Sequence, residues 1–269
     1  VNTLADTHCH LSLDEFSDEL DQIVERAREA GVAHLLIPGI DLETSRRAVE
    51  IAEGHEGIFA AVGVHPHEAS SYSESTRDQL LELTGSPAVV AIGEIGLDFY
   101  RDLSPRADQT AAFVDQLALA RQLELPVILH NREAQEALLE VLLEWAPTVS
   151  RPQKGVLHAF SGDRNGAKKA LSSGFFIGVA GPLTYPNAEE LRKTIQGLPQ
   201  DRLVLETDSP YLPPQPHRGQ RNEPAYLPLI AEELGRLTER TVDKVIADTS
   251  ENANRLFGWK YGSAHPILS

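Results

Sequence analysis

Two imidazoles stand one residue apart in Asp6-Thr7-His8-Cys9-His10, directly after the apolar run that opens the chain. In an extended strand side chains alternate, so Asp6, His8 and His10 share a face. Two neutral imidazoles side by side on an inner face leave polar nitrogens without partners, which costs free energy. A divalent cation removes that cost, because imidazole nitrogen is its common ligand. Taken alone, the pair is equally compatible with a solvated strand end or a tag remnant. The other histidines decide between these readings.

Positioning such residues needs strands, and eight apolar runs bounded by turn residues read as strands. They begin at Asn2, Ala33, Ile58, Ala88, Pro126, Lys154, Phe175 and Arg202. Most are nearly continuous rather than alternating, which suits parallel strands buried on both faces. Between them lie amphipathic stretches: Leu13, Phe16, Leu20, Ile23, Val24 and Ala27 recur at helical spacing, as do Phe113, Leu117 and Ala120. Strands start roughly 20–40 residues apart, the length of a βα unit. The expected fold is a single-domain (β/α)8 TIM barrel over residues 1–258, followed by a loose tail over 259–269.

The polar residues fall at one end of those strands. His8 and His10 follow the first, His65 and His67 the third, and Glu94 ends the fourth. His130, His158 and Asp208 end the fifth, sixth and eighth. Carboxyl ends are where barrel enzymes carry their sites, whereas random placement would scatter histidines over helices and both rims. Individually, His130 and His158 could be satisfied core residues. Glu94 is harder to place so, since a carboxylate directly after Val89-Val90-Ala91-Ile92-Gly93 is costly unless paired or coordinated. Its flanking glycines allow close backbone approach to something. Asp98 reads as structural. Glu206 and Asp208 share a face by the period of two, one able to meet a metal while the other supports a neighbouring ligand.

Four histidines and two carboxylates are too many for one tetrahedral site and suit two cations sharing a carboxylate. The assignment is His8, His10 and Asp208 on one, His130 and His158 on the other, with Glu94 bridging. Nitrogen and oxygen ligands without thiolate suit Zn, Mn or Mg.

Bulk properties narrow the class. The 269 residues are 41% hydrophobic and 24% charged, ample for a core. A net charge of −16 repels nucleic acid at long range and counts against a nonspecific DNA-coating protein. A single cysteine, Cys9, excludes an internal disulfide. No apolar run approaches bilayer-spanning length, and the first residues lack signal-peptide character, so the expectation is a cytoplasmic protein without membrane association.

Asp6–Leu11 (DTHCHL), Gly93–Tyr100 (GEIGLDFY) and Thr207–Leu212 (TDSPYL) resemble the signature segments of TatD-type metal-dependent deoxyribonucleases, members of the amidohydrolase-like barrels. GVHPH, ILHNREA, LHAFSG and PHRGQRNEP follow in the order and spacing of that family, and the resemblance spans residues 3–258. It implies that His8, His10, Glu94, His130, His158 and Asp208 are metal ligands. It also implies hydrolysis of DNA phosphodiesters, 3′→5′ exonucleolytic, in a setting such as DNA repair, nucleotide salvage or DNA degradation. A water between the two cations would lose its proton and attack, with Asp208 and Glu94 as catalytic residues. Asn131 stands where the family often has serine or cysteine, at a position that is not a ligand.

Substrate contacts are expected from His65 on a phosphate, from Arg132 at the start of a helix, and from Arg218 in the stiff loop Pro213–Pro224, which also carries His217 and Arg221. His65 could equally be an exposed or N-cap-adjacent histidine. The local basic spot suits a single phosphate, hence the 3′ end of a single strand, and the default assembly is a monomer. Two rivals differ in class. One is an amidohydrolase or esterase acting on a cyclic amide, lactone or aminoacyl ester, for which a strand-end lysine bridging the metals is missing. The other is a non-catalytic interaction protein, for which the ligand set is too complete.

Overall fold

The computed structural model describes residues 3–259. Eight parallel strands pair in chain order: β1 (Leu4–Asp6), β2 (Val32–Pro38), β3 (Ile58–Val62), β4 (Val89–Asp98), β5 (Val127–Arg132), β6 (Gly155–Leu157), β7 (Phe175–Val179) and β8 (Leu203–Leu205). Representative registers are Leu35 beside Ile58, Ile95 beside Leu129, Leu129 beside Leu157 and Ile177 beside Leu203. The sheet returns on itself where the Thr7 N–H donates to the Leu205 carbonyl at 3.0 Å and Cys9 bridges Ser209. This is the expected (β/α)8 TIM barrel.

Parallel strands need long crossovers, and helices supply them: α1 (Leu20–Glu29), α2 (Leu42–Gly54), α3 (Glu74–Leu83), α4 (Arg106–Leu123), α5 (Gln135–Trp145), α6 (Arg164–Ser172), α7 (Glu189–Gln196) and α8 (Leu227–Thr238), with α9 (Val242–Phe257) after the last unit. Their starts are locally encoded. Asp41 caps α2 by accepting the Thr44 N–H at 2.7 Å, and Asp163 caps α6 through the Gly166 N–H at 2.7 Å. The predicted helical spacing from Leu13 resolves into a 3-10 turn, Asp14–Glu19, leading into α1. Phe113, Leu117 and Ala120 form the buried face of α4.

Two apolar layers result. Phe16, Ile23, Phe113 and Leu138 pack between strands and helices. Inside the barrel lie Ala5, Leu36, Val90, Ile128, Val156, Phe176 and Val204, closed at the amino end by Leu256, Phe257 and Trp259. The Trp259 ring stacks 5.1 Å from Phe59 and 5.4 Å from His34. Asn2, where the first strand was expected to begin, and positions 260–269 of the expected tail lie outside the described residues.

Three local expectations change. Arg132 is the last residue of β5 rather than the first of a helix, since α5 begins at Gln135. β4 runs past Glu94 to Asp98, held by Gly96 beside His130 and Asp98 beside Arg132. β8 ends at Leu205, so Glu206 and Asp208 lie beyond the last ladder pair, Asp208 with φ +59°. Among the described residues no helix is long and apolar enough to cross a membrane.

Candidate metal centre

The centre is the top layer of the barrel interior. Along β5, β6 and past β8, the residue two beyond an inward apolar side chain points to the same side. Ile128 is thus followed by His130, Val156 by His158 and Val204 by Glu206. Glu94 enters from β4, whose glycines let that strand press against β5. A Cβ on Gly93 would meet the Ile128 Cβ at 2.6 Å, and one on Gly96 the His130 carbonyl at 2.1 Å. The close approach suggested by those glycines is therefore to the neighbouring strand.

Glu94 divides the surrounding groups into two sets. Its Oε2 lies 3.3 Å from His8 Nε2 and 3.6 Å from His10 Nε2. The Asp208 Oδ1 closes that side at 3.6 and 3.4 Å from the same nitrogens. Its Oε1 lies 2.8 Å from both His130 Nδ1 and His158 Nε2. His8, His10, Glu94, His158 and Asp208 are buried. The structure thus brings together all six candidate ligands. Asp6, expected on the same face, turns away: it accepts the Thr207 N–H at 2.9 Å, the Thr207 hydroxyl at 2.6 Å and the His8 N–H at 3.2 Å.

A second ring of carboxylates holds the histidines. His130 donates its Nε2–H to Asp98 Oδ2 at 3.1 Å, and His67 donates to the same oxygen at 2.8 Å. The backbone N–H groups of Tyr100 and Arg101 donate to Asp98 Oδ1 at 3.0 and 2.7 Å. Asp98 therefore fixes the ring of His130, a contact sequence reasoning assigned to structure alone. The only local sign was its place four residues after Glu94, on the same strand face. His158 presents Nδ1 at 3.7 Å from Glu206 Oε1. Glu206 in turn accepts the Ala159 N–H and fits only because position 178 is glycine: a Cβ there would meet its carboxylate at 2.6 Å.

The buried histidines and carboxylates set one another's charge. Burial works against ionising Glu94, yet His158, His65 and His8 hold its carboxyl well below the usual range. Burial likewise opposes charge on His158, but Glu94, Asp208 and Glu206 outweigh it and raise its pKa to about 10. His8, stacked on His158 with ring centroids 4.0 Å apart, is lowered to about 4 by burial and by that neighbouring charge. Glu206 is pushed up to about 8 and Asp6 to about 7, both chiefly by burial.

His65 stands apart. The His67 N–H donates to its Nδ1 at 3.1 Å, so that nitrogen is the acceptor and Nε2 carries the hydrogen. Nε2 lies 3.5 Å from Glu94 Oε1, near enough to group it with Glu94 and His130 as a conceivable cation site. A nitrogen that keeps its hydrogen donates rather than ligates, so Nε2–H of His65 faces the Glu94 carboxylate as a donor. The Nδ1 end of the ring caps the 3-10 turn that begins at Pro66. The arginines lie on the rim, outside the buried cluster: Arg132 stacks 4.2 Å from the Tyr100 ring and Arg218 4.4 Å from the Tyr185 ring. Arg221 is an anchor, donating to the Glu15 carbonyl and to Glu19, each at 2.7 Å. His217 stacks on Tyr226 at 3.7 Å.

The donor set suits divalent cations. His8 Nε2 and His10 Nε2 approach to 3.1 Å, and the Nδ1 atoms of His8, His10 and His158 are buried without hydrogen-bond partners. Imidazoles converging on two carboxylates, without thiolate, form a hard-to-intermediate cation site. An eight-stranded barrel with such a cluster at its carboxyl mouth has the architecture of a metal-dependent hydrolase.

Comparison with known proteins agrees. A model of TatD-related DNases matches residues 5–258. The chain is 38% identical over 254 residues to YabD of Bacillus subtilis, an uncharacterized metal-dependent hydrolase, covering 94% of this chain and 98% of that protein. It is 41% identical over 259 residues to the 3′-5′ ssDNA/RNA exonuclease TatD of Erwinia amylovora, covering 94% and 99%. The crystal structure of YjjV, a TatD homolog from Escherichia coli K12, matches with a TM-score of 0.90 at 35% identity, covering 96% and 98%. The chain belongs to the TatD-related DNase family of metal-dependent hydrolases.

Proposed function

We propose that this chain removes nucleotides from the 3′ end of single-stranded DNA, using two divalent cations (Mg, Mn or Zn) bridged by Glu94. The observation that carries this reading is the division of Glu94: Oε2 faces His8, His10 and Asp208, while Oε1 faces His130 and His158. A carboxylate with ligand groups gathered separately on each oxygen suits a pair of cations sharing it. Such cations supply Lewis acidity toward a phosphodiester and lower the pKa of an attacking water.

The chain's own groups do the rest. Asp208, kept below the usual carboxylate range by His10, His158 and His8 against the effect of burial, is ionised at neutral pH and can accept the water's proton. His65 donates its Nε2–H to a non-bridging phosphoryl oxygen as charge builds there. It is neutral for this task, since burial and the nearby His130 lower its pKa to about 3. Asp98 holds the His130 ring in register through its hydrogen bond, and Glu206 stands beside His158 as a counter-charge. Arg132 and Arg218, exposed on the rim, neutralise flanking phosphates on a protein whose net charge is −16.

An amidohydrolase of this fold that bridges its metals with a strand-end lysine finds no counterpart: Lys154 sits at the start of β6, its Nζ donating to the Val149 and Arg151 carbonyls. We place the protein in the cytoplasm as a monomer. The test is a time course of metal-stripped protein on a 5′-labelled single-stranded oligonucleotide, with Mg, Mn or Zn restored. A ladder shortening from the 3′ end, absent without metal and in Glu94→Ala, is the expected result. Internal cuts, or no cleavage by protein that binds cation, would redirect the site to another ester or amide.

A further inference from the structure

Among the described residues five large hydrophobic side chains are exposed: Tyr100, Leu103, Val114, Leu143 and Tyr211. Val114 and Leu143 lie on the outer helices α4 and α5. The other three lie in the loops after β4 and after β8. Those strands are four apart in an eight-strand circuit, so their loops face each other across the mouth. The candidate metal centre lies between them.

Both tyrosines are tied to the centre by their backbones while the residues stay half exposed, 55% for Tyr100 and 51% for Tyr211. The Tyr100 N–H donates to Asp98 Oδ1 at 3.0 Å, and the Tyr211 N–H to the Asp208 carbonyl at 2.8 Å. The Tyr211 carbonyl also accepts from Asn222 Nδ2 at 2.6 Å. The Arg132 guanidinium backs Tyr100 at 4.2 Å, and His10 meets Tyr211 edge-on with centroids 5.8 Å apart. A pinned, half-exposed aromatic ring beside a deep polar pocket offers a flat apolar surface where a substrate's neighbours must rest. Nucleobases stack on such rings without regard to sequence.

We propose that Tyr100 and Tyr211 are stacking platforms for the bases on either side of the scissile phosphate. The strand crosses the mouth from one loop to the other, with Arg132 placing positive charge beside the stacked nucleotide. A base paired in a duplex is already stacked on its neighbours, so this arrangement selects single strands at the rim. The inference rests on the nuclease reading above.

The experiment measures kcat and KM on two 5′-labelled single strands. One bears normal bases; in the other the last three nucleotides are abasic tetrahydrofuran residues. The native protein loses roughly 10-fold or more in kcat/KM when the bases are removed, mostly in KM. In Tyr100→Ala and Tyr211→Ala that penalty shrinks toward unity, and Tyr100→Phe and Tyr211→Phe restore it. Circular dichroism melts matching the native protein show that the variants are folded. If the penalty is the same in the alanine variants as in the native protein, the platforms are overturned while cleavage keeps the nuclease reading. If the native protein cleaves neither strand with Mg, Mn or Zn, the nuclease reading fails and takes this inference with it.

Discussion

The two ends of the barrel interior are built from the same strands and opposite chemistry. At the amino end Val90, Phe176 and Val204 meet Leu256, Phe257 and Trp259 in an apolar plug. One or two strand positions later the interior holds His8, Glu94, His130, His158 and Glu206, all within a few ångströms of one another. Hydrophobic burial at the first end stabilises the fold. Buried ionisable groups at the second end lower stability unless a cation joins them. Backbone in the left-handed region, unusual for non-glycine residues, also occurs in the polar half, at Ala159 (φ +40°) and Asp208 (φ +59°). The apolar plug thus offsets the cost of the polar layer.

If the ends are so divided, mutations should separate stability from chemistry. Glu94→Ala and Asp208→Ala should each lower turnover on the order of 10³-fold or more while the melting temperature stays near native, read by exonuclease assay and calorimetry. Phe176→Ala should do the reverse: a loss of about 3–5 kcal/mol in denaturant unfolding, with metal-saturated turnover per folded molecule retained. Asp98→Asn leaves the ligands in place but weakens the hold on His130, so cation affinity should fall about 10–100-fold in calorimetric titration. Activity at saturating metal should fall less.

The smallest effect belongs to α9, the helix whose end carries the plug. Asp248 on α9 pairs with Arg240 and with Lys244 Nζ, the latter at 2.6 Å, and these contacts outweigh burial to hold its carboxyl below the usual range. A depressed folded-state pKa stabilises above the ordinary carboxylate range and loses that contribution as pH falls through the folded value. Asp248→Asn should therefore cost up to about 1 kcal/mol at neutral pH, less at low pH and high salt, without touching cation affinity.

Much of this division was legible before the structure. Strands buried on both faces leave continuous apolar runs, and a strand formed at each of the eight, although β2 begins one residue early at Val32 and β4 and β5 run on to Asp98 and Arg132. The polar layer showed as histidines and carboxylates at the ends of those runs. What stayed hidden depends on contacts distant in sequence. Asp98 looked structural because its partners, His67 and His130, are 31 and 32 residues away. Arg221 counted toward the loop's basic spot, but Glu15 and Glu19, brought beside it by the 3-10 turn before α1, claim its guanidinium. Arg132 extends β5 because Asp98 continues the neighbouring strand beside it, a pairing no local propensity reveals. The tyrosines of the rim lie in loops that only the circuit of the barrel sets opposite each other.

The central claim is that Glu94 joins two cation sites in one buried layer. Native mass spectrometry of protein reconstituted with Mn or Zn tests it most directly. Two bound cations per chain are expected in the native protein and fewer than two in Glu94→Ala. One cation in the native protein, or two retained in Glu94→Ala with native affinity, would contradict it.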